Sequence, residues 1–461
     1  MEFDEILAKV RRVHFIGIGG SGMCPLVEIL HSKGYKISGS DVDDLSDTVN
    51  RIRSMGINVV IGQRAENITD DMELVVYTAA IQKDNPELLA SVEKGIPTVE
   101  RSVLLGAVCR KYPNTIGVSG THGKTTVTSM ITQILMNGNL DPSAIIGGKL
   151  PLLGTNGRAG DSDTMVVEAC EFVNTFLQIT PAIAVILNID ADHLEFFGNV
   201  ENIIKSFHQF CLQTTDCVIV NGDDRNSMKA VEGIDLPIIT FGFEQTNDYY
   251  ASGVSQDTDG HWMFDLVKKG EKLCRIKLHI PGRHNILNAL AAAAASLVVG
   301  ATPECVADGI DTFGGACRRF EIHGIFDGVT VADDYAHHPA ELEATLRAAK
   351  EMNFKRIVAV FQPFTYSRTR DHLDEFAQVL SLADETVLTE IMAAREVDDL
   401  GVSSSQLAAK IPNCKLLGSF EEIADYIVKT AKSGDLVITM GCGDIYKAAK
   451  MMKKKYTEMG L

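Results

Sequence analysis

Thr115-Ile-Gly-Val-Ser-Gly-Thr-His-Gly-Lys-Thr-Thr126 carries the strand, loop and helix around which the rest of the chain is organised. A short strand-like run leads into a loop with glycines at 120 and 123, and a helical pattern continues from Lys124 towards Leu135. A strand that turns through glycine into a helix is the frame of a phosphate-binding loop. Its amides wrap phosphate oxygens, Lys124 reaches the β and γ phosphates, and Thr125 offers a hydroxyl to Mg²⁺. The spelling is not the strict one, because Val118 stands where the distal glycine is expected, but the Gly-Lys-Thr core is intact. Gly120, Thr121, His122, Gly123, Lys124, Thr125 and Thr126 are therefore the candidate ATP-holding positions. The bland alternative is a turn that carries an exposed lysine.

Outward from this loop, a strand at 164–167 ends on Glu168, and one at 182–187 is followed by Asn188 and by Asp190-Ala-Asp192-His193. In a parallel sheet both strand ends lie at the carboxyl edge beside the loop, where ligands bind. Carboxylate oxygens suit Mg²⁺, whereas histidine is a less usual ligand for it. A further strand is expected at 217–220. From 248 to 280, strand signals alternate with Asp-Gly and Lys-Gly turns, which predicts a small antiparallel flap. A helix over 285–299 closes the unit.

Upstream, Val13-His-Phe-Ile-Gly-Ile runs into Gly17-Ile-Gly19-Gly-Ser-Gly22, and a second strand from Lys36 ends on Asp41. This is the dinucleotide fingerprint with an acidic residue about 20 positions on. Alone it is a weak signal for a nucleotide or nucleotide-sugar site; its place after a strand and before a helix strengthens it. Downstream, strands at 329–332, 356–361, 385–388 and 435–440 alternate with helical stretches such as 340–352. The expected fold is α/β with three domains: Rossmann-like over 1–106, a central P-loop ATPase sheet with the antiparallel addition over 107–318, and Rossmann-like again over 319–461. No tandem repeat is seen.

Composition agrees with a globular enzyme. The 461 residues are 45% hydrophobic and 23% charged, enough for several cores. A net charge of -18 argues against nucleic acid as the main partner, since phosphate backbones need an excess of cations. The start lacks a signal-peptide pattern, and the longest apolar run, Ala289 to Ala301, is too short to cross a membrane and reads as a buried helix. Ten cysteines without a C-x-x-C pair suggest neither zinc nor a disulfide framework, so a cytoplasmic location is expected.

The glycine loops, Ser38-Gly-Ser-Asp41, Asn188 to His193, Arg283-His-Asn-Ile-Leu-Asn288, Arg318-Arg-Phe-Glu321, Asp333-Asp-Tyr-Ala-His-His-Pro339 and Phe361-Gln-Pro follow one another in an order that resembles the Mur ligase family over nearly the whole chain. The resemblance implies ATP-dependent amide formation between UDP-N-acetylmuramate and L-alanine in peptidoglycan precursor synthesis, with ATP and Mg²⁺. A ligase that recycles a murein tripeptide is the runner-up. It implies that Gly17, Gly19, Gly22 and Asp41 contact the UDP portion, and that Lys124 and Thr125 hold ATP and Mg²⁺. Glu168 is implied as a metal ligand and His193 as a ligand of a second metal. Asn288 matches an adenine-reading position, Arg319 and Asp334 match ATP contacts from the third domain, and Tyr335, His337 and Arg368 match the alanine pocket. A monomer or homodimer without membrane insertion is expected.

Two stretches depart from the family pattern. Gln362-Pro-Phe-Thr365 replaces Gln-Pro-His-Arg, so Thr365 stands where an arginine is expected, and Ala169-Cys-Glu-Phe-Val replaces Ala-Asp-Glu-Ser-Asp. Other branches carry a carbamylated lysine after the Asp-His pair; Lys205 is the nearest lysine here and is not assigned that role.

The chemistry implied is carboxylate activation: ATP converts the carboxylate into an acyl phosphate, which the amine of alanine attacks. Lys124 and His193 are candidate catalytic residues, and His337 is either a proton acceptor or an orienting group. A folate-type synthase would lack the Gly17 to Gly22 unit. A nicotinamide-dependent dehydrogenase leaves the second loop without purpose, and a nucleotide switch leaves the Asp334 to His338 cluster unexplained. Closure over ATP predicts hinges near 106–112 and 314–320, with Gly314-Gly315 in the second.

Overall fold

In the computed structural model, which describes residues 2–258, 260–394, 396–398 and 401–460, the chain is α/β with three sheets. The first is built from β1 (Arg12–Ile16), β2 (Lys36–Asp41), β3 (Asn58–Ile61), β4 (Leu74–Tyr77) and β5 (Thr98–Glu100). Its order is β3-β2-β1-β4-β5, and every pairing is parallel. The order reverses between β1 and β4, and the Gly17 loop leaves β1 at that point, where ligands bind in open α/β sheets.

The second sheet contains β6 (Asn114–Ser119), β7 (Ser143–Leu150), β8 (Thr155–Arg158), β9 (Thr164–Glu168), β10 (Ile183–Ile186), β11 (Cys217–Asn221), β12 (Ile238–Gly242), β13 (Tyr249–Gln256), β14 (Trp262–Lys268) and β15 (Glu271–Lys277). Their order is β15-β14-β13-β12-β11-β10-β6-β9-β7-β8. β6 lies between β9 and β10 and is parallel to both. This is why the phosphate loop is flanked by the ends of those two strands. Both faces of these strands are covered, and Ile183–Ile186 is buried at every position, as apolar runs in a parallel sheet require.

The strands from 248 extend one edge of the main sheet as the expected addition, β13 joining β12 in parallel before β14 and β15. An antiparallel hairpin of β7 and β8 lies at the other edge and was not expected.

The third sheet has β16 (Glu321–Phe326), β17 (Val329–Asp334), β18 (Arg356–Phe361), β19 (Glu385–Leu388), β20 (Cys414–Leu416) and β21 (Asp435–Met440), in the order β16-β17-β21-β18-β19-β20. Only the edge strand β16 is antiparallel, to β17. Separate apolar clusters cover the sheet, one around Leu342, Leu346 and Phe376 and one around Ile423, Ile427 and Met452.

The chain forms two compact units: Met1–Val254 with Phe264–Ile276 and Leu287–Phe313, and Gly314–Leu461 with Ser255–Met263 and Lys277–Ile286. The division at Phe313 and Gly314 falls beside the second expected hinge, and Gly315 has φ +101°. The first expected hinge is instead a packed seam. Helix Arg101–Cys109 brings Gly106 against the Gln178 carbonyl with no room for a Cβ, and Arg110 donates to Asp4 and to the Gln178 carbonyl. All ten cysteines are free thiols. The alanine-rich helix His284–Val298 is buried along Ala289 to Ala295, as its composition predicted. Among the described residues no helix is long and apolar enough to cross a membrane.

Candidate active site

In the first sheet, the amides of Gly17 and Ile18 both donate to the Ser40 carbonyl at 2.9 Å, which ties the loop to the end of β2. The Asp41 carboxylate accepts from the Gly19 amide at 2.8 Å and from the amides of Val42 and Asp43. A Cβ on Gly19 would lie 2.6 Å from Val49 and 2.9 Å from Asp41, so this position must be glycine for the loop and the acid to meet. A Cβ on Gly22 would lie 3.2 Å from the Arg101 side chain, and Gly17 takes φ +76° beside Thr78. The four sequence-selected residues of this site are thus gathered at one sheet edge.

The second loop is held from β10. Thr121 donates its amide to the Asn188 carbonyl at 2.9 Å, His122 donates its amide to the Asn188 side chain at 2.8 Å, and Asn188 returns a bond to the His122 carbonyl at 3.1 Å. The Thr121 hydroxyl accepts from the Asp190 amide at 2.9 Å. Gly123 caps helix Lys124–Asn137 with φ +88°, a left-handed conformation that side chains resist. A Cβ there would fall 2.6 Å from the Asn288 amide oxygen, so Asn288 is brought to the loop. Thr126 is buried in the first turn of the helix.

The Lys124 ammonium lies back across the loop, donating to the carbonyls of Gly120 at 2.6 Å and Thr121 at 3.0 Å, and meeting the Glu171 carboxylate at 2.9 and 3.1 Å. Burial alone would lower its pKa. The carboxylates of Glu171 and Glu168 outweigh that and hold it above the ordinary lysine value, so the group stays charged. Thr125 donates its hydroxyl to Glu168 at 3.1 Å, and the other Glu168 oxygen accepts the Gly147 amide at 2.7 Å from the unexpected hairpin.

Thr125 and Glu168 therefore present two hard oxygen donors side by side, a set that fits Mg²⁺, which takes one or two protein oxygens and completes its octahedron with water and phosphate. Among the described residues, no three His, Cys, Asp or Glu side chains form a metal-binding group. His193, at φ +53°, lies 3.7 Å from the Asp192 carboxylate and packs its ring on Phe172 at 4.6 Å between centroids. His122 lies 3.9 Å from Asp190. Lys205 is exposed on helix Val200–Leu212.

In the second unit, Asp334 is buried and accepts the amides of Phe320 and Ala336 at 2.7 Å each. Burial pushes its carboxyl up to about 6, against the pull of Arg319. The guanidinium groups of Arg318 and Arg319 lie over the Tyr335 ring at 4.9 and 5.2 Å, and Arg318 also covers Tyr446 at 4.7 Å while binding Asp333 at 2.9 Å. His337 places Nδ1 3.1 Å from both the Tyr335 carbonyl and Glu341. Arg368 sits in helix Tyr366–Asp371, capped by Thr365, whose hydroxyl accepts the Arg368 amide. Thr365 thus serves as a helix cap at φ +63° where the family pattern expects a charge.

Sequence reasoning left three contributors unassigned. Glu171, Asn188 and Arg318 lie inside the quoted motifs, but their partners come from other strands or loops. The one available signal was their position next to Glu168, the Asp-His pair and Arg319.

Comparison with known proteins covers all three sheets. Residues 12–113 match the Mur ligase family catalytic domain, 118–296 the Mur ligase middle domain and 318–443 the Mur ligase glutamate ligase domain. The UDP-N-acetylmuramate--L-alanine ligase of Agathobacter rectalis is 44% identical over 454 residues, 97% of this chain and 99% of the relative. The crystal structure of the UDP-N-acetylmuramate-alanine ligase of Thermotoga maritima superposes with a TM-score of 0.83 at 28% identity, covering 97% of this chain and 99% of that one. A murein peptide ligase from Psychrobacter arcticus shares the fold, with a TM-score of 0.74 at 24% identity over 97% of this chain and 98% of its own.

Proposed function

Because the chain belongs to the Mur ligase family, we propose that it joins the carboxylate of UDP-N-acetylmuramate to the amine of L-alanine with hydrolysis of ATP to ADP and phosphate, in peptidoglycan precursor synthesis. The observation that carries this reading is the Lys124–Thr125–Glu168 arrangement at the β6 loop, together with a separate glycine-rich edge in the first sheet. Supported by that arrangement, the proposed domains are 1–106 for the UDP-sugar, 107–318 for ATP and 319–461 for the amino acid.

Gly17, Gly19, Gly22 and Asp41 are the proposed UDP-sugar contacts. Gly120 to Thr126 and Asn288 hold ATP, with Arg319 and Asp334 as contacts from the third domain. A carboxylate is a poor electrophile. Its oxygen attacks the γ-phosphorus of ATP, the bond to the β-phosphate oxygen breaks, and ADP leaves an acyl phosphate. The amine of alanine then attacks the acyl carbon and phosphate departs. Lys124, kept charged, offsets the charge that builds on the transferring phosphoryl group. Two magnesium ions, one held through Thr125 and Glu168 and a second through His193, would supply Lewis acidity at the phosphoryl oxygens. Tyr335 and Arg368 orient alanine, and His337 takes the proton of its ammonium, with Glu341 fixing the ring. A cytoplasmic monomer or homodimer completes the proposal.

Phosphate release tests it. Release should require UDP-N-acetylmuramate and L-alanine together; release with a murein tripeptide and not with L-alanine would replace this reading by the recycling ligase.

A further inference from the structure

Lys124 has three N–H groups, and the protein engages all of them. Two go to carbonyls of its own loop; the third faces the Glu171 carboxylate at 2.9 and 3.1 Å. Both side chains are withdrawn from solvent, 13% exposed for Lys124 and 4% for Glu171. Glu171 comes from the turn after β9, where Val173 and Asn174 take φ +46° and +61°. A β-branched residue in that region is strained, so the turn is held by its surroundings in the form that presents Glu171. Three residues earlier, Glu168 already serves Thr125 and the Gly147 amide. The phosphate loop is therefore lined by two carboxylates, of which only one is needed to accompany Thr125.

An anion buried beside the seat of a polyphosphate opposes the ligand unless a cation enters with it. A metal-free nucleoside triphosphate carries a much larger negative charge than its magnesium complex, and it would meet Glu171 while having to draw Lys124 away from it. We propose that Glu171 is a specificity-determining residue that makes the loop select magnesium-bound nucleotide over the free polyphosphate, by occupying Lys124 until a divalent cation takes over the balance of charge. This inference rests on the reading of the loop as an ATP site.

The test compares nucleotide dissociation constants by calorimetry, with ATP in excess Mg²⁺ and with ATP in EDTA, for the unaltered protein and for Glu171→Gln. Gln keeps the size of the side chain and can still accept a bond from Lys124. We expect the ratio of the two constants to collapse by at least about tenfold in Glu171→Gln, chiefly because metal-free ATP binds more tightly. Glu171→Asp, which keeps the charge, should retain the ratio within about threefold. A purely structural role would weaken both forms alike and leave the ratio unchanged in Glu171→Gln, which overturns the proposal. Should that variant not fold, a collapsed ratio in Glu171→Asp overturns it equally. If the unaltered protein bound no ATP with Mg²⁺, the reading of the loop itself would fail, a result distinct from either.

Discussion

Asp334 is the residue on which pH acts most directly. Its carboxyl is raised from 3.8 to about 6, first by burial, with Arg319 and the amides of Ala336 and Phe320 pulling the other way. The folded state holds this proton to higher pH than the unfolded chain. The stability it contributes is thus complete below about pH 4 and is lost as pH rises through about 6. We expect the free energy of unfolding of the unaltered protein to fall by about 2 to 3 kcal/mol across that window through this group. In urea titrations Asp334→Asn should show a flatter profile there, and parallel profiles for the two proteins would refute the assignment. At the same scale, Lys124, Thr125 and Glu168 were singled out by the strand-loop-helix frame and the next strand's end, whereas Asn288 was marked only by the family resemblance. Glu171 and Arg318 were not legible: the Lys124 pair joins residues 47 positions apart and the Arg318 stack depends on Tyr446, and adjacency of that kind is created by folding.

Strands β1, β6, β10, β18 and β21 were legible as short apolar runs between turn residues, because a parallel sheet buries both faces. The hairpin of β7 and β8 was not, since Gly147, Gly148, Pro151, Gly154 and Gly157 weaken any strand signal. Those glycines have a use. Gly157 lets Pro25 of the first sheet's helix approach, where a Cβ would come within 2.6 Å of the proline Cα, and Gly147 offers its amide to Glu168 with no room for a Cβ against that carboxylate. Gly147 is outside the left-handed region, so alanine is allowed by the backbone and excluded only by Glu168. Gly147→Ala should therefore leave stability within about 1 kcal/mol of the unaltered protein and raise the Mg²⁺ concentration for half-maximal ATP turnover by about tenfold or more. An unchanged Mg²⁺ requirement in that variant would separate the hairpin from the metal. The third domain's edge strand β16 was hidden for a different reason: its pattern is mixed and Ile322 and Ile325 face solvent.

At the scale of the whole molecule, three sheets bring three glycine- or acid-marked strand ends into one chain, and the three family models match one after another along it. With a net charge of -18, local placement of cations matters: Lys124 lies inside the loop, Arg318 and Arg319 over Tyr335, and the Arg101 side chain beside Gly22. The division of the chain beside Gly314 was legible from the glycine pair, whereas the seam at Gly106 was not, because the Gln178 backbone that locks it lies far along the sequence. In the proposed reaction ATP activates a carboxylate as an acyl phosphate. UDP-N-acetylmuramate labelled with ¹⁸O in its carboxylate, turned over with L-alanine and ATP, measures this directly by mass spectrometry of the released phosphate. The mechanism places one carboxylate oxygen in each phosphate released; phosphate free of label, or label found in AMP, would contradict it.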